Sequence, residues 1–168
     1  MLITSMIRRA MTPMKKITIA VAAGLWVLGT AIGFAADSPQ MGTWKLDEAK
    51  SDIPAGMVKN TTVVYSAAAD DKWKITTEGK DKDGKAVKTT WVGKIDGKPY
   101  AVEGSPVYDQ IAYTKKDERT NELKTMKGGK VVATGSIVVA PDGKSRVVTV
   151  TMTDDDGKKM TSKGAYTK

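Results

Sequence analysis

The sequence predicts an all-β domain: an antiparallel, up-and-down meander of about 8–10 strands closed on itself into a barrel. Three observations predict it. Apolar and polar residues alternate with period two through most of the chain after residue 59, which is the period of a half-buried strand. The alternating segments are rich in Val, Thr, Trp and Tyr, residues that fit a pleated surface buried on one side. Between the segments, Asp-Gly-Lys recurs at 83–85, 96–98, 142–144 and 156–158, and Gly128-Gly129 supplies a further break. Each of these is a favoured tight-turn signal, because both central positions of such a turn can require positive φ.

The elements follow in order. Residues 1–35 read as a cleaved signal peptide, and 36–168 as one barrel domain. Arg8, Arg9, Lys15 and Lys16 precede the apolar run "ITIAVAAGLWVLGTAIGFAA" (17–36), and no acid occurs before Asp37. A basic start, an apolar core and small residues before a polar segment mark a secretory leader. Cleavage after Ala35 puts Gly33 at −3; cleavage after Ala36 would put the bulkier Phe34 there. Met14 opens a complete bacterial leader by itself and is an alternative start. Arg8-Arg9 fits a twin-arginine signal poorly. A membrane anchor is the other reading, but the run is barely long enough to span and ends in small residues. No later segment is apolar enough to cross a bilayer as a helix. The expected location is therefore the periplasm or the exterior of a bacterium, with no membrane span after cleavage.

"LDEAKSDIPAGMVK" (46–59) breaks the alternation and is expected to form one helical turn or a long loop. The strand segments come next. Val63, Tyr65 and Ala67 share a face in 60–67, and Trp73, Ile75 and Thr77 in 72–78. Val87, Thr89 and Trp91 do so in 86–93, and Ile111 and Tyr113 in 109–115. Leu123 is the best anchor in the polar stretch 121–127. Segments 131–140, 145–153 and 159–167 complete the meander. "PYAVEGSPVYDQ" (99–110), with Pro99 and Pro106, reads as a stiff surface connection.

The Asp-Gly-Lys repeats also resemble half of a calcium loop. Spacing rejects that reading. If Gly84 were the sixth residue of an EF-hand loop, Gly79 and Thr90 would occupy its first and twelfth places; for Gly157 these would be Met152 and Lys163. Both loops lack the first carboxylate and the bidentate Glu. "DDDGK" (154–158) is at most a weak calcium site. The four repeats are read as corners of the sheet, with no metal.

Composition narrows the function classes. The chain has 168 residues with 27 bases and 19 acids. Four bases leave with the leader, so 23 bases face 19 acids and the net charge falls from +8 to +4. The lysines stand singly among acids, without the concentrated basic face that nucleic acid requires, so no nucleic-acid partner is expected. Cysteine is absent, so an exported fold must be held by its own core. Histidine is absent too, which removes the usual metal ligand, general base and Ser-His or Cys-His pair. Glu103 and Asp109 form a nominal carboxylate pair without a second acid-rich segment. Ser105, Ser136 and Ser162 lack a nucleophile-elbow context, and Ser162 and Lys163 point to opposite faces of a strand. No enzyme and no cofactor is expected.

"MGTWKLDEAKSD" (41–52), with Gly42-Thr43-Trp44, resembles the opening of the calycin superfamily, whose lipocalins and fatty-acid-binding proteins begin their first strand with Gly-x-Trp. "GTWKL" is close to the fatty-acid-binding branch, and "GAYTK" (164–168) resembles that branch's last strand. Together with "DGKPYAVEGSP" (96–106), the chain is similar over most of 41–168 to small exported bacterial proteins described as lipocalin-like. The resemblance implies a calycin-like barrel, with Trp44 a structural plug at its base. The fatty-acid-binding branch, which is cytosolic, holds a carboxylate with Arg-x-Tyr in its last strand. Here Gly164 and Tyr166 take those places, so that arginine is missing, and Lys163 faces away from Tyr166.

A barrel of ten strands lined by Val, Ala, Thr and Gly, with no Phe after residue 34, should be under-filled. Tyr65, Trp73, Ile75, Trp91, Tyr113 and Tyr166 are the candidate lining of a site for a small apolar ligand. The alternative is that these rings are only core and that the domain is structural or binds a protein partner, through an open edge or the 99–110 loop.

Overall fold

The structure, a computed structural model, describes residues 38–153 and 157–168. The leader at 1–35 with its cleavage site, and the acidic triplet 154–156, lie outside the described residues. Ten antiparallel strands close into a barrel: β1 (Gly42–Asp52), β2 (Lys59–Ala67), β3 (Trp73–Lys80), β4 (Ala86–Gly93), β5 (Asp96–Glu103), β6 (Gln110–Lys115), β7 (Thr120–Lys127), β8 (Lys130–Val139), β9 (Ser145–Thr153) and β10 (Lys159–Thr167). Each strand pairs with its sequence neighbours, and β1 closes the circle on β10 through Lys45–Thr167, Leu46–Tyr166 and Asp47–Ala165. The expected all-β meander is therefore the fold. Among the described residues no helix is long and apolar enough to cross a membrane.

Alternation decides which way each side chain faces. In β7, Asn121, Leu123 and Thr125 are buried while Glu122 and Lys124 are exposed. Tyr65 pairs with Ile75, and Ile75 with Trp91, so three inward residues form one row across β2, β3 and β4. One continuous core results, built from Trp44, Val63, Tyr65, Ile75, Trp91, Ile111, Tyr113, Leu123, Ile137, Val139 and Tyr166.

Three local expectations need correction. First, residues 46–52 belong to β1 and are neither helical turn nor loop. Between Asp47 and Asp52 the strand advances five residues while β10 retreats only from Ala165 to Lys163. This bulge shifts the phase of the alternation, which is why the segment reads as irregular. Ser51 stitches it: its hydroxyl donates to the Asp47 carbonyl at 2.6 Å and accepts the Ala165 amide at 2.9 Å. The loop proper is 53–58.

Second, Pro99 lies inside β5, opposite Ala112, and only 104–109 is a connection. The seam between β4 and β5 has two residue pairs, Thr90–Glu103 and Trp91–Val102, against nine between β9 and β10. Side chains close what the backbone leaves. The Trp91 indole donates to the Ile111 carbonyl of β6 at 3.1 Å, and the Tyr100 ring sits where a Cβ on Gly93 would have to be. Gly104, at φ +80°, leaves the seam so close to the Lys88 carbonyl that a side chain would collide with it.

Third, the turns differ in kind. Consecutive positive φ values occur at Gly128-Gly129 (55° and 78°) and at Asp70-Asp71 (59° and 56°). In the Asp-Gly pairs 83–84 and 142–143 only the glycine is positive. There the nearby carboxylates cap the turn: Asp81 Oδ1 accepts the amides of Asp83 and Lys85 at 2.9 Å, and Asp142 Oδ1 that of Lys144. Asp96-Gly97 is an irregularity at the start of β5, the turn itself being at Lys94-Ile95.

Candidate functional site

The barrel is not filled. A cavity of about 670 Å³ occupies its interior, within the size range of small-molecule sites. The loops β1–β2 and β5–β6 and the start of β10 edge its mouth through Met57, Val107 and Met160, with Lys82 and Lys127 beside them. The opposite end is shut by the residues leading into β1. Trp44 is fully buried there, its indole donating to the Gln40 carbonyl at 2.9 Å, while the Gln40 amide donates to the Arg119 carbonyl at 3.0 Å. The Lys168 ammonium lies 4.9 Å from the Trp44 ring and donates to the Pro39 carbonyl at 3.1 Å. Trp44 does not line the cavity.

Five of the six residues singled out in the sequence line it: Tyr65, Ile75, Trp91, Tyr113 and Tyr166. Trp73 does not. It is half-buried at the end of β3, where strand and barrel wall stop, and packs edge-on against Tyr65 at 6.2 Å. Trp91 and Tyr113 meet edge-to-face at 4.8 Å. Gly164, between Met160 and Tyr166 on the inward face of β10, has no side chain, and the Tyr166 ring lies over it where a Cβ would have to be.

The polar groups on the wall are mostly neutral. Thr77 and Thr89 share a hydrogen bond of 2.7 Å, and the Tyr166 hydroxyl donates to the Asn60 carbonyl at 2.9 Å. Burial pushes the Tyr166 phenol up to about 12, with Arg146 pulling it down and Tyr65 adding to the rise. Burial holds Tyr113 well above the ordinary range, helped by Tyr65 and Tyr108 and opposed by Arg146. Both remain protonated donors at neutral pH. Among the described residues the cavity wall contains no Asp and no Glu.

One residue that the sequence reading passed over dominates this wall. Arg146 is 2% exposed and lines the cavity. Its guanidinium carbon lies 4.6 Å from the Trp44 ring, 4.7 Å from Tyr65 and 5.2 Å from Tyr166. Alternation carried the signal. In β9, Arg146 falls in phase with Val148, Val150 and Met152, all on the cavity wall, and it stands opposite Tyr166 in register. The Thr125 hydroxyl on the same wall has no hydrogen-bond partner among the described residues.

The carboxylates of 99–110 do not meet at a site. Glu103 is exposed beside Thr90 at the end of β5, and Asp109 Oδ2 caps the Gly128 amide at 2.9 Å. Ser105 serves its own loop by accepting the amides of Val107 and Tyr108. No protein-family model, curated protein or solved structure matches the chain.

Proposed function

We propose that this protein is an exported, calycin-like binding protein that holds a small, largely apolar molecule inside its barrel. The observation that carries the reading is the interior cavity of about 670 Å³, walled by aromatic rings and β-branched residues. Burying a ligand's apolar surface there is worth about 25 cal/mol per Å². The hydroxyls on the wall fix its orientation, as a few placed polar groups do in such sites. Periplasmic or secreted placement is supported by the leader pattern of residues 1–35. The distribution of polarity supports a barrel that stands in water. Glu122 and Lys124 face outward and Leu123 inward, whereas a membrane barrel carries its apolar band outside. The reading contains no catalytic step.

The test is to extract the purified protein with organic solvent, identify what comes out by mass spectrometry, and titrate the stripped protein with apolar probes while following Trp emission. A stoichiometric extracted molecule, or a saturable change in the emission of Trp91 on the cavity wall, is expected. An empty extract together with no saturable response overturns the reading in favour of a structural or protein-interaction domain.

A further inference from the structure

Among the described residues Arg146 is a buried cation without an anion. Its Nε and Nη1 have no hydrogen-bond partner among the described residues, and it takes part in no ion pair there. A guanidinium does not shed its proton in a protein, so it cannot become neutral as a buried lysine does. Removing it from water costs far more than a cation–π contact returns. Three rings therefore soften the cost without satisfying the N–H donors, since a ring face accepts hydrogen bonds weakly. Among the described residues the wall that faces the guanidinium holds no carboxylate to complete it. On the same wall Tyr113 and Tyr166 are kept neutral by burial and so do not compete as anions.

We infer that the molecule held in the barrel is an amphipathic anion: its oxyanion head docks on Arg146 beside Tyr65 and Tyr166, and its apolar tail runs toward the mouth over Val148, Val150 and Met152. This rests on the binding reading above and names the class of ligand. The head is a carboxylate or a phosphate monoester, both of which match guanidinium donors. At the mouth Lys82 is paired with its neighbour Asp83, which leaves Lys127 to draw an anion in.

The experiment compares three probes of one chain length, dodecanoate, dodecyl phosphate and dodecanol, on stripped wild-type protein and on Arg146→Met. At least one anion is expected to bind wild type about 10- to 100-fold more tightly than the alcohol, the range for hydrogen bonds to a charged group. Which anion binds more tightly separates the two head groups. Arg146→Met should lose that preference and keep its affinity for dodecanol. A wild-type protein that binds dodecanol as tightly as both anions overturns the anion anchor and leaves the cavity reading standing. No binding of any probe overturns both. Retention of the preference by Arg146→Met also overturns the anchor. Should the variant not fold, the Nε–H resonance of Arg146 in labelled wild type decides: it moves downfield with the anion and not with the alcohol. The exposed Arg119 serves as control, and an unmoved Arg146 resonance rejects the proposal.

Discussion

Tyr166 joins two strands and the cavity in one side chain. Its hydroxyl bonds the Asn60 carbonyl, its ring covers Arg146, and its proton is held up to about 12 by burial. In the unfolded chain the same phenol releases its proton near 10. Above that pH the unfolded state binds fewer protons than the native one, so stability falls as pH rises toward 12 and is complete below 10. Tyr166→Phe is expected to cost about 1 kcal/mol at neutral pH through the lost hydrogen bond and to flatten part of the alkaline fall. Urea denaturation of both proteins between pH 8 and 12 checks this; parallel curves would refute it. Of the candidate residues, those on regular strands were legible because alternation alone sets their face: Tyr65, Ile75, Trp91, Tyr113 and Tyr166. Trp73 was in phase too, but period says nothing about where the cavity ends along a strand. Arg146 was equally in phase. It was overlooked because arginine is almost always a surface residue, and only the absence of a polar alternative on that face of β9 marks it.

Among the elements, β4 and β5 form the weakest join. Two residue pairs hold them, and Pro99 deprives β5 of one donor. Amides bonded across this seam are expected to exchange with deuterium at least about tenfold faster than those between β9 and β10, where nine pairs lie in register. Equal protection at the two seams would show that the Trp91–Ile111 bond and the Tyr100 ring compensate fully. The sequence hid this element because its two prolines and Gly104 read as punctuation, while in space only the second proline lies in a loop. The bulge of β1 was hidden for a related reason. Its extra residues put Asp47, Glu48 and Lys50 out of phase, and a pattern argument has no way to know that Ser51 re-ties the strand to β10. The turns were legible as places and less so as types, since an aspartate that caps neighbouring amides needs no positive φ of its own.

For the whole molecule, closure is the central term. Every strand has two partners, so no edge is left to recruit another chain. β10 supplies that closure through Leu46–Tyr166 and its neighbours, and its end carries Lys168 over Trp44. Removing residues 164–168 is therefore expected to abolish cooperative thermal unfolding rather than to lower the midpoint by a few degrees, which calorimetry reads directly. A truncated chain that melts sharply would mean the remaining strands stand without the last contact. Barrel and strand count were legible because turn spacing and period agree along the chain. The cavity was legible only as an argument from small residues, since volume depends on where ten strands settle and not on any one of them.

The described residues around the hollow include neither histidine nor a carboxylate, the side chains whose charge changes in mildly acidic to neutral surroundings. Acidifying the medium from pH 8 to 5 therefore leaves the inner lining electrically as it was. If cargo departs in that interval, the cargo's own proton uptake drives the departure, and its dissociation curve will report the acidity of the passenger rather than of its container.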